Sequence, residues 1–527
     1  MLNTLRSRRG MVVSPHHLAS QAGLAILREG GNAVEATVAV AATLGVVYPH
    51  MIGMGGDAFW LIGDGGDAPL AIDACGAAGA GVDGALYRGL TRIPERGPLA
   101  ANTVAGAVSG WMAALEISSR WGGRMPLERL LADAIYHAEA GVPVADHLGT
   151  MTADIRQQVE GQPGFAAVYL PGGAWARPGD LIRQPALAET LRRLAKNGLD
   201  DFYRGELARS MAADLARVGS PLTEGDLARH RALPRDALML RTSRARLFNF
   251  PPPTQGLASL LLLGLFDRLA VREAEGFAHV HALVEATKRA YAIRNEHVAD
   301  PAYMKRRPEE FLAGAALERL AGMIDRNRAG AWRSAPDAGD TAWMGVIDGA
   351  GRAVSHIQSV FYPWGSGVVL DETGVLWQNR GSSFDLEAGS VNPVTPGRKP
   401  FHTLNPAMAR LDDGRLVVYG TMGAHGQPQF QAAVMTRYAW FGQPPQQAVS
   451  APRWLLDANT EGGEAVLRIE ERMDGATVEA LRAAGHRIEI LPPFAASVGH
   501  AGMVVRQPSG ALEGAVDPRS DGVVAAF

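Results

Sequence analysis

One cysteine, Cys75, stands in 527 residues. A lone thiol cannot close an internal disulfide, and the count excludes a paired-cysteine redox or zinc motif. An excess of one charge is missing too: 51 Lys and Arg face 54 Asp and Glu, a net charge of −3. Nothing there points to nucleic acid or an anionic membrane, so a small molecule is the expected partner. No run of about 18 apolar residues occurs, and the longest candidate, Leu257 to Leu265, is too short to span a bilayer. The N-terminus is basic, but the apolar stretch of about 7–15 residues that a secretion signal needs does not follow, so a cytoplasmic location is expected. Internal repeats, low-complexity tracts and flexible linkers are absent. So is a dinucleotide fingerprint: Gly53, Gly55 and Gly56 precede a strand instead of joining strand to helix. His16 and His17 are adjacent and cannot share a metal from one helix. Neither cofactor nor metal is expected.

What is present is an ordinary soluble composition, 47% hydrophobic and 20% charged, enough to bury a large core. Helical periodicity runs from His17 to Glu29 and ends at Gly30-Gly31. Asn32 with Glu35 has the capping pattern of a second helix, about Ala33 to Leu44, apolar nearly all round and so buried. A strand is expected over Ala58 to Ile62. About Met125 to Arg333 the pattern is mostly helical, with helices over Ala186 to Lys196, Phe202 to Val218, Gly256 to Leu269 and Phe277 to Val298. Past Thr341 the chain turns β-rich. Strands are expected over Ala342 to Ile347, Ala353 to Ser359, Gly374 to Gln378, Leu416 to Gly420, Gly463 to Ile469, Arg487 to Leu491 and Met503 to Arg506. Two helices interrupt them, about Gln427 to Phe441 and Gly475 to Ala484. Between the halves, Arg333 to Asp340 is polar, small and Pro/Gly-bearing, as an exposed loop is.

An ordered set of motifs spans nearly the whole chain. It runs through Gly30-Gly31-Asn32-Ala33-Val34, Tyr48-Pro49-His50, Asn102 to Gly110, Glu285 to Arg294 and Gly339-Asp340-Thr341-Ala342-Trp343. It continues through Phe361 to Leu370, Gly374 to Asp385, Pro396 to Pro406, Gly420 to Pro428 and Gly514 to Gly522. Each is weak alone. In order and spacing the series resembles the gamma-glutamyltranspeptidases, N-terminal-nucleophile hydrolases with a four-layer αββα sandwich.

The resemblance implies a precursor that cuts itself between Asp340 and Thr341. Residues 1–340 would form a large subunit and 341–527 a small one, the two staying associated around one shared core; further homo-oligomerisation is left open. Thr341 would attack the substrate amide through its hydroxyl, and its freed α-amine would take the proton. A threonine hydroxyl needs such a base, and an α-amine with an ordinary pKa of about 7.7–8.0 can serve near neutral pH. Gly423 and Ala424 fall where the family uses two backbone N–H groups for the oxyanion, with alanine a departure that restricts φ. Ser359 falls on a residue that hydrogen-bonds the nucleophile. Glu285 and Arg294 match a structural helix.

The head-group positions all differ. The family's carboxylate-binding arginine falls at Cys75 and its amine-binding asparagine at Phe361. The glutamine and aspartate that bind the ammonium fall at Arg380 and Ser383, and the two serines on the carboxylate at His402 and Thr403. A guanidinium repels an ammonium and can grip a carboxylate bidentately. An anionic substrate without an ammonium is therefore expected, and the altered set looks like the branch that includes oxamate amidohydrolases, with cephalosporin-acylase-like members nearby. Two alternatives stay open for Arg380, a carboxylate grip or an ion pair pointing out of the pocket. His402 is open between a site, core or surface histidine. Competing functions are a gamma-glutamyltransferase or glutathione hydrolase with a rebuilt head-group site, and an unprocessed binding protein that kept the fold alone.

Overall fold

Apolar residues alternate between two different cores along single strands. In the strand Gly10–Ser14, Met11 and Val13 point into one core while Val12 points into another. In Asp340–Asp348, Trp343 and Ile347 share the first core, Met344 and Val346 the second. Since successive side chains of a strand leave opposite faces, both faces of this sheet are covered. The computed structural model describes residues 3–66, 68–332, 340–387, 389–458 and 465–527, with 333–339 outside the described residues.

Two seven-stranded antiparallel sheets stack face to face. The first runs Val523–Ala526, Gly10–Ser14, Asp340–Asp348, Ala353–Phe361, Asp57–Gly63, Leu70–Ala74, Leu233–Asp236. The second runs Leu5–Ser7, Leu512–Val516, Ala501–Arg506, Leu416–Thr421, Ala407–Leu411, Ala245–Asn249, Leu238–Arg241. Phe59, Leu61, Trp343, Met408, Val418 and Val504 fill the space between them. Helices His17–Arg28, Ala33–Val47 and Ala107–Arg120 cover the outer face of the first sheet, and Leu127–Ala140 packs on Ala33–Val47. Gly256–Leu269 and Gln427–Met435 cover the outer face of the second, and Phe277–His297 packs on both of these helices. This is the expected αββα sandwich. Strands from both sides of Thr341 interleave in each sheet.

Local chemistry explains the element ends. Asn32 caps Ala33–Val47 with a reciprocal box to Glu35, as its spacing implies. The helix expected over Phe202 to Val218 instead breaks into Asp201–Arg204 and Glu206–Val218. At the break, Asp201 Oδ1 caps the Leu207 N–H at 3.2 Å and would sit 1.8 Å from any Cβ on Gly205. The strand expected over Gly374 to Gln378 is not one: Leu376 and Trp377 make isolated bridges to Val369 and Gly55. Gly374 lies at φ +67 against the Leu187 backbone, so this segment turns across the sheet's end instead of running along it. Three strands within Leu233–Asn249 interrupt the region expected to be mostly helical.

Candidate active site

Thr341 lies at the start of the central strand Asp340–Asp348 and is buried. Its backbone neighbour Asp340 pairs with Phe361, and the register slips between Asp340 and Ala342. A bulge there re-aims the residue it contains. Gln427 Nε2 donates to the Thr341 hydroxyl at 3.4 Å. The orientation of that amide follows from its other end, where Asn405 Nδ2 donates to Gln427 Oε1 at 3.1 Å. Asn405 is itself fixed: it donates to the Thr403 carbonyl at 3.0 Å and accepts from Ser259 Oγ at 2.9 Å. A buried relay of polar side chains thus presents an N–H to Thr341.

The turn after Leu416–Thr421 follows the expected oxyanion position. Gly423 has φ +117, and a Cβ there would meet Phe430 at 2.6 Å. Ala424 also lies at positive φ, +44, a conformation alanine adopts at a cost of about 1 kcal/mol. The Ala424 carbonyl accepts from Gln255 Nε2 at 2.7 Å, and the same nitrogen donates to the Thr403 carbonyl at 2.7 Å. Arg294 Nη1 holds the Gln255 oxygen at 2.8 Å. Gln255 therefore ties the 423–426 turn to the 402–405 loop. Among the described residues, no hydrogen bond engages the N–H of Gly423 or Ala424.

Arg380 opens a short 3-10 turn, Arg380–Ser383, and is 1% exposed. Its guanidinium is therefore closed off from solvent. Its guanidinium carbon lies 3.5 Å from the centre of the Phe361 ring, and Nη2 donates to Thr403 Oγ1 at 3.0 Å. Phe361 holds φ +83, a strained conformation for a bulky residue, at the point where it pairs with Asp340. Contacts thus run from the strand of Thr341 through Phe361 and Arg380 to Thr403. Ser359 Oγ accepts the Phe361 N–H at 2.7 Å. Ser383 Oγ donates to the Phe401 carbonyl at 3.1 Å.

His402 is a buried histidine of this neighbourhood, not a surface one. Its Nε2 lies 3.2 Å from Asp57 Oδ2 and its ring packs edge-on against Phe59. Burial, with Arg380 and Lys399 nearby, holds its pKa well below the ordinary value, so the ring is neutral. A neutral ring donating Nε2–H to Asp57 leaves Nδ1 as an acceptor. Cys75 is buried, and burial pushes its thiol up. Ligand atoms of Asp57, Cys75 and His402 lie within 4.8 Å of one another, a grouping that sequence spacing could not reveal. The set suits a cation poorly: three donors already occupy Asp57 Oδ1, and Arg380 and Lys399 flank the cluster.

Asp57, Asn405, Gln427 and Gln255 were not singled out from the sequence. Asn405 and Gln427 sit inside quoted motifs, but amide side chains carry no signal of role until their partners are known. Glu285 pairs with Lys288 at 2.5 Å within its helix, as expected of a structural position, whereas Arg294 reaches out of that helix to Gln255.

Known proteins resemble this chain over nearly its whole length. Residues 19–527 match the gamma-glutamyltranspeptidase family. The oxamate amidohydrolase proenzyme of Klebsiella pneumoniae is 51% identical over 522 residues, 99% of each chain. The glutathione hydrolase-like YwrD proenzyme of Bacillus subtilis is 37% identical over 97% of each. The crystal structure of cephalosporin acylase from Bacillus halodurans superposes with a TM-score of 0.92 at 30% identity, covering 100% of this chain and 97% of that one. The chain belongs to the gamma-glutamyltranspeptidase family of enzymes, which hydrolyse C–N bonds on an N-terminal-nucleophile fold.

Proposed function

We propose that this chain is a self-cutting precursor whose Thr341 hydrolyses a small carboxylated amide such as oxamate. The observation that carries the substrate class is Arg380, a buried guanidinium stacked on the residue that pairs beside Thr341. Support also comes from the 51% identity to an oxamate amidohydrolase proenzyme. Cleavage of the Asp340–Thr341 bond frees an α-amine. Thr341 Oγ then bonds to the amide carbon as its proton passes to that amine, and the oxyanion rests on the N–H groups of Gly423 and Ala424. Gln427 donates to Oγ and so leaves the hydroxyl proton for the base. Collapse breaks the C–N bond, ammonia leaves with the proton from the amine, and water hydrolyses the resulting ester of Thr341. With oxamate the products are oxalate and ammonia. Arg380 holds the substrate carboxylate next to the reacting carbonyl, where the stacked Phe361 keeps the guanidinium in place.

The test is direct. Purified active protein should run as two bands, the smaller beginning Thr-Ala-Trp-Met, and should release ammonia from oxamate faster than from glutathione. Thr341→Ala should block cutting and turnover, whereas Thr341→Ser should mature and keep part of the activity. A full-length chain with full activity would overturn the mechanism; preference for glutathione would overturn the substrate class alone.

A further inference from the structure

Asp57, fully buried at the start of Asp57–Gly63, is a carboxylate for which the chemistry above has no use. Its Oδ1 accepts from the Gly76 N–H at 2.9 Å, the Gly106 N–H at 3.2 Å and Gln378 Nε2 at 3.1 Å. Its Oδ2 faces His402 Nε2. His402 precedes Thr403, the acceptor of Arg380, so the acid and the guanidinium meet at successive residues of one loop.

The other ionisable groups around Asp57 are accounted for. Asp73, on the neighbouring strand, lies 2.7 Å from Lys399 and 3.5 Å from Arg235. Burial keeps the Cys75 thiol and the Tyr203 phenol protonated. His402 is neutral, as is His230 beyond the Gly106 peptide, pushed down to about 3 chiefly by burial. Burial pushes Asp57 itself up to about 7, against the hydrogen bonds of Gly76 and Gln378 and the field of Arg380, which pull it down.

We propose that Asp57 takes up a proton when an anionic substrate docks on Arg380, so that the pocket admits a carboxylate without gaining net negative charge. The inference rests on Arg380 being the carboxylate grip. A docked carboxylate cancels the guanidinium's pull on Asp57, and the acid then binds a proton from solvent on Oδ2, while neutral His402 carries its own ring proton on Nδ1 and accepts from Oδ2 through Nε2. By linkage, the affinity for the anion tightens as pH falls through the neutral range. It weakens toward a limit of about tenfold per pH unit above it. A neutral amide, which adds no charge, lacks this dependence. Asp57 is in this sense a specificity-determining residue that does not touch the reacting atoms.

Calorimetry of oxalate binding to the mature wild-type enzyme, near pH 7.5 in buffers of different ionisation enthalpy, counts the protons exchanged. The expected result is net uptake, accompanied by a rise in the protonated-carboxyl infrared band. In Asp57→Asn, oxalate should still bind, the band change should vanish and the uptake should fall to whatever the Thr341 α-amine of the mature enzyme takes up. Binding of oxalate to the wild type without uptake, or uptake without the carboxyl band, would overturn the coupling and leave the Arg380 grip standing. Failure of oxalate to bind at all would remove the grip and the coupling together. The wild-type measurements decide the matter even if Asp57→Asn does not fold.

Discussion

Arg380 gives the flat face of its guanidinium to Phe361, which leaves its edge for in-plane hydrogen bonds, one of which goes to Thr403. Replacing it with glutamine keeps a donor but removes the charge and the stack. Arg380→Gln should therefore lower kcat/KM for an anionic amide by about 2–3 kcal/mol, the scale of a lost charge-assisted contact, and harm a neutral amide far less. Steady-state kinetics on the two substrates checks this; equal indifference of both would make Arg380 structural. Thr341, Arg380, Phe361, His402 and Thr403 could be picked from the sequence because they stand at fixed places in ordered motifs. Whether Arg380 is buried could not, since burial is set by neighbours from other segments, such as Phe361 and Thr403. Asp57 escaped notice for a related reason: its partners Gly76, Gly106, Gln378 and His402 are scattered across the chain.

The role proposed for the 423–426 turn depends on two unlike residues. Gly423 has neither room for a Cβ nor a φ that tolerates one, so Gly423→Ala must push the Phe430 ring or the Gly499 backbone. A displaced oxyanion donor costs about 10²–10³ in kcat, and that is the loss expected, with KM changing less. Ala424→Gly should behave oppositely, relieving positive φ and keeping activity, with a stability change within about 1 kcal/mol. Paired kinetics and thermal melts on the two variants check both outcomes; an active Gly423→Ala would detach this turn from the chemistry. At this scale the sequence was uneven. Long amphipathic or capped helices such as Ala33–Val47 were legible because periodicity and cap lie within one stretch of chain. Short strands such as Leu70–Ala74, Leu233–Asp236 and Val523–Ala526 were not, because what makes each a strand is its neighbour across the sheet.

Across the molecule, ten of the fourteen histidines are held below their ordinary pKa, chiefly by burial: His16, His50, His137, His147, His230, His279, His356, His402, His486 and His500. Unfolded, each takes a proton near pH 6.5 that the native state refuses. Their contribution is intact above that value and lost as pH falls below it, at up to about 1.4 kcal/mol per pH unit for each fully buried ring. Asp57 and Asp521, pushed up to about 7 and about 6, act in the opposite sense over part of the same window, but they are two against ten. Thermal melts should therefore show Tm falling from pH 8 to pH 5; a flat or rising Tm would contradict this charge pattern. Strand interleaving has a kinetic consequence as well. The sheet that carries Thr341 takes four strands from before the proposed cut and three from Asp340 onward, with Gly10–Ser14 lying between Val523–Ala526 and Asp340–Asp348. An uncut chain refolds as one molecule, at a rate indifferent to its concentration. Once cut, the halves share no covalent bond, yet neither holds a complete sheet, so recovery from denaturant becomes a second-order encounter of two incomplete partners. Dilution would then leave the precursor's renaturation untouched and abolish that of the mature enzyme.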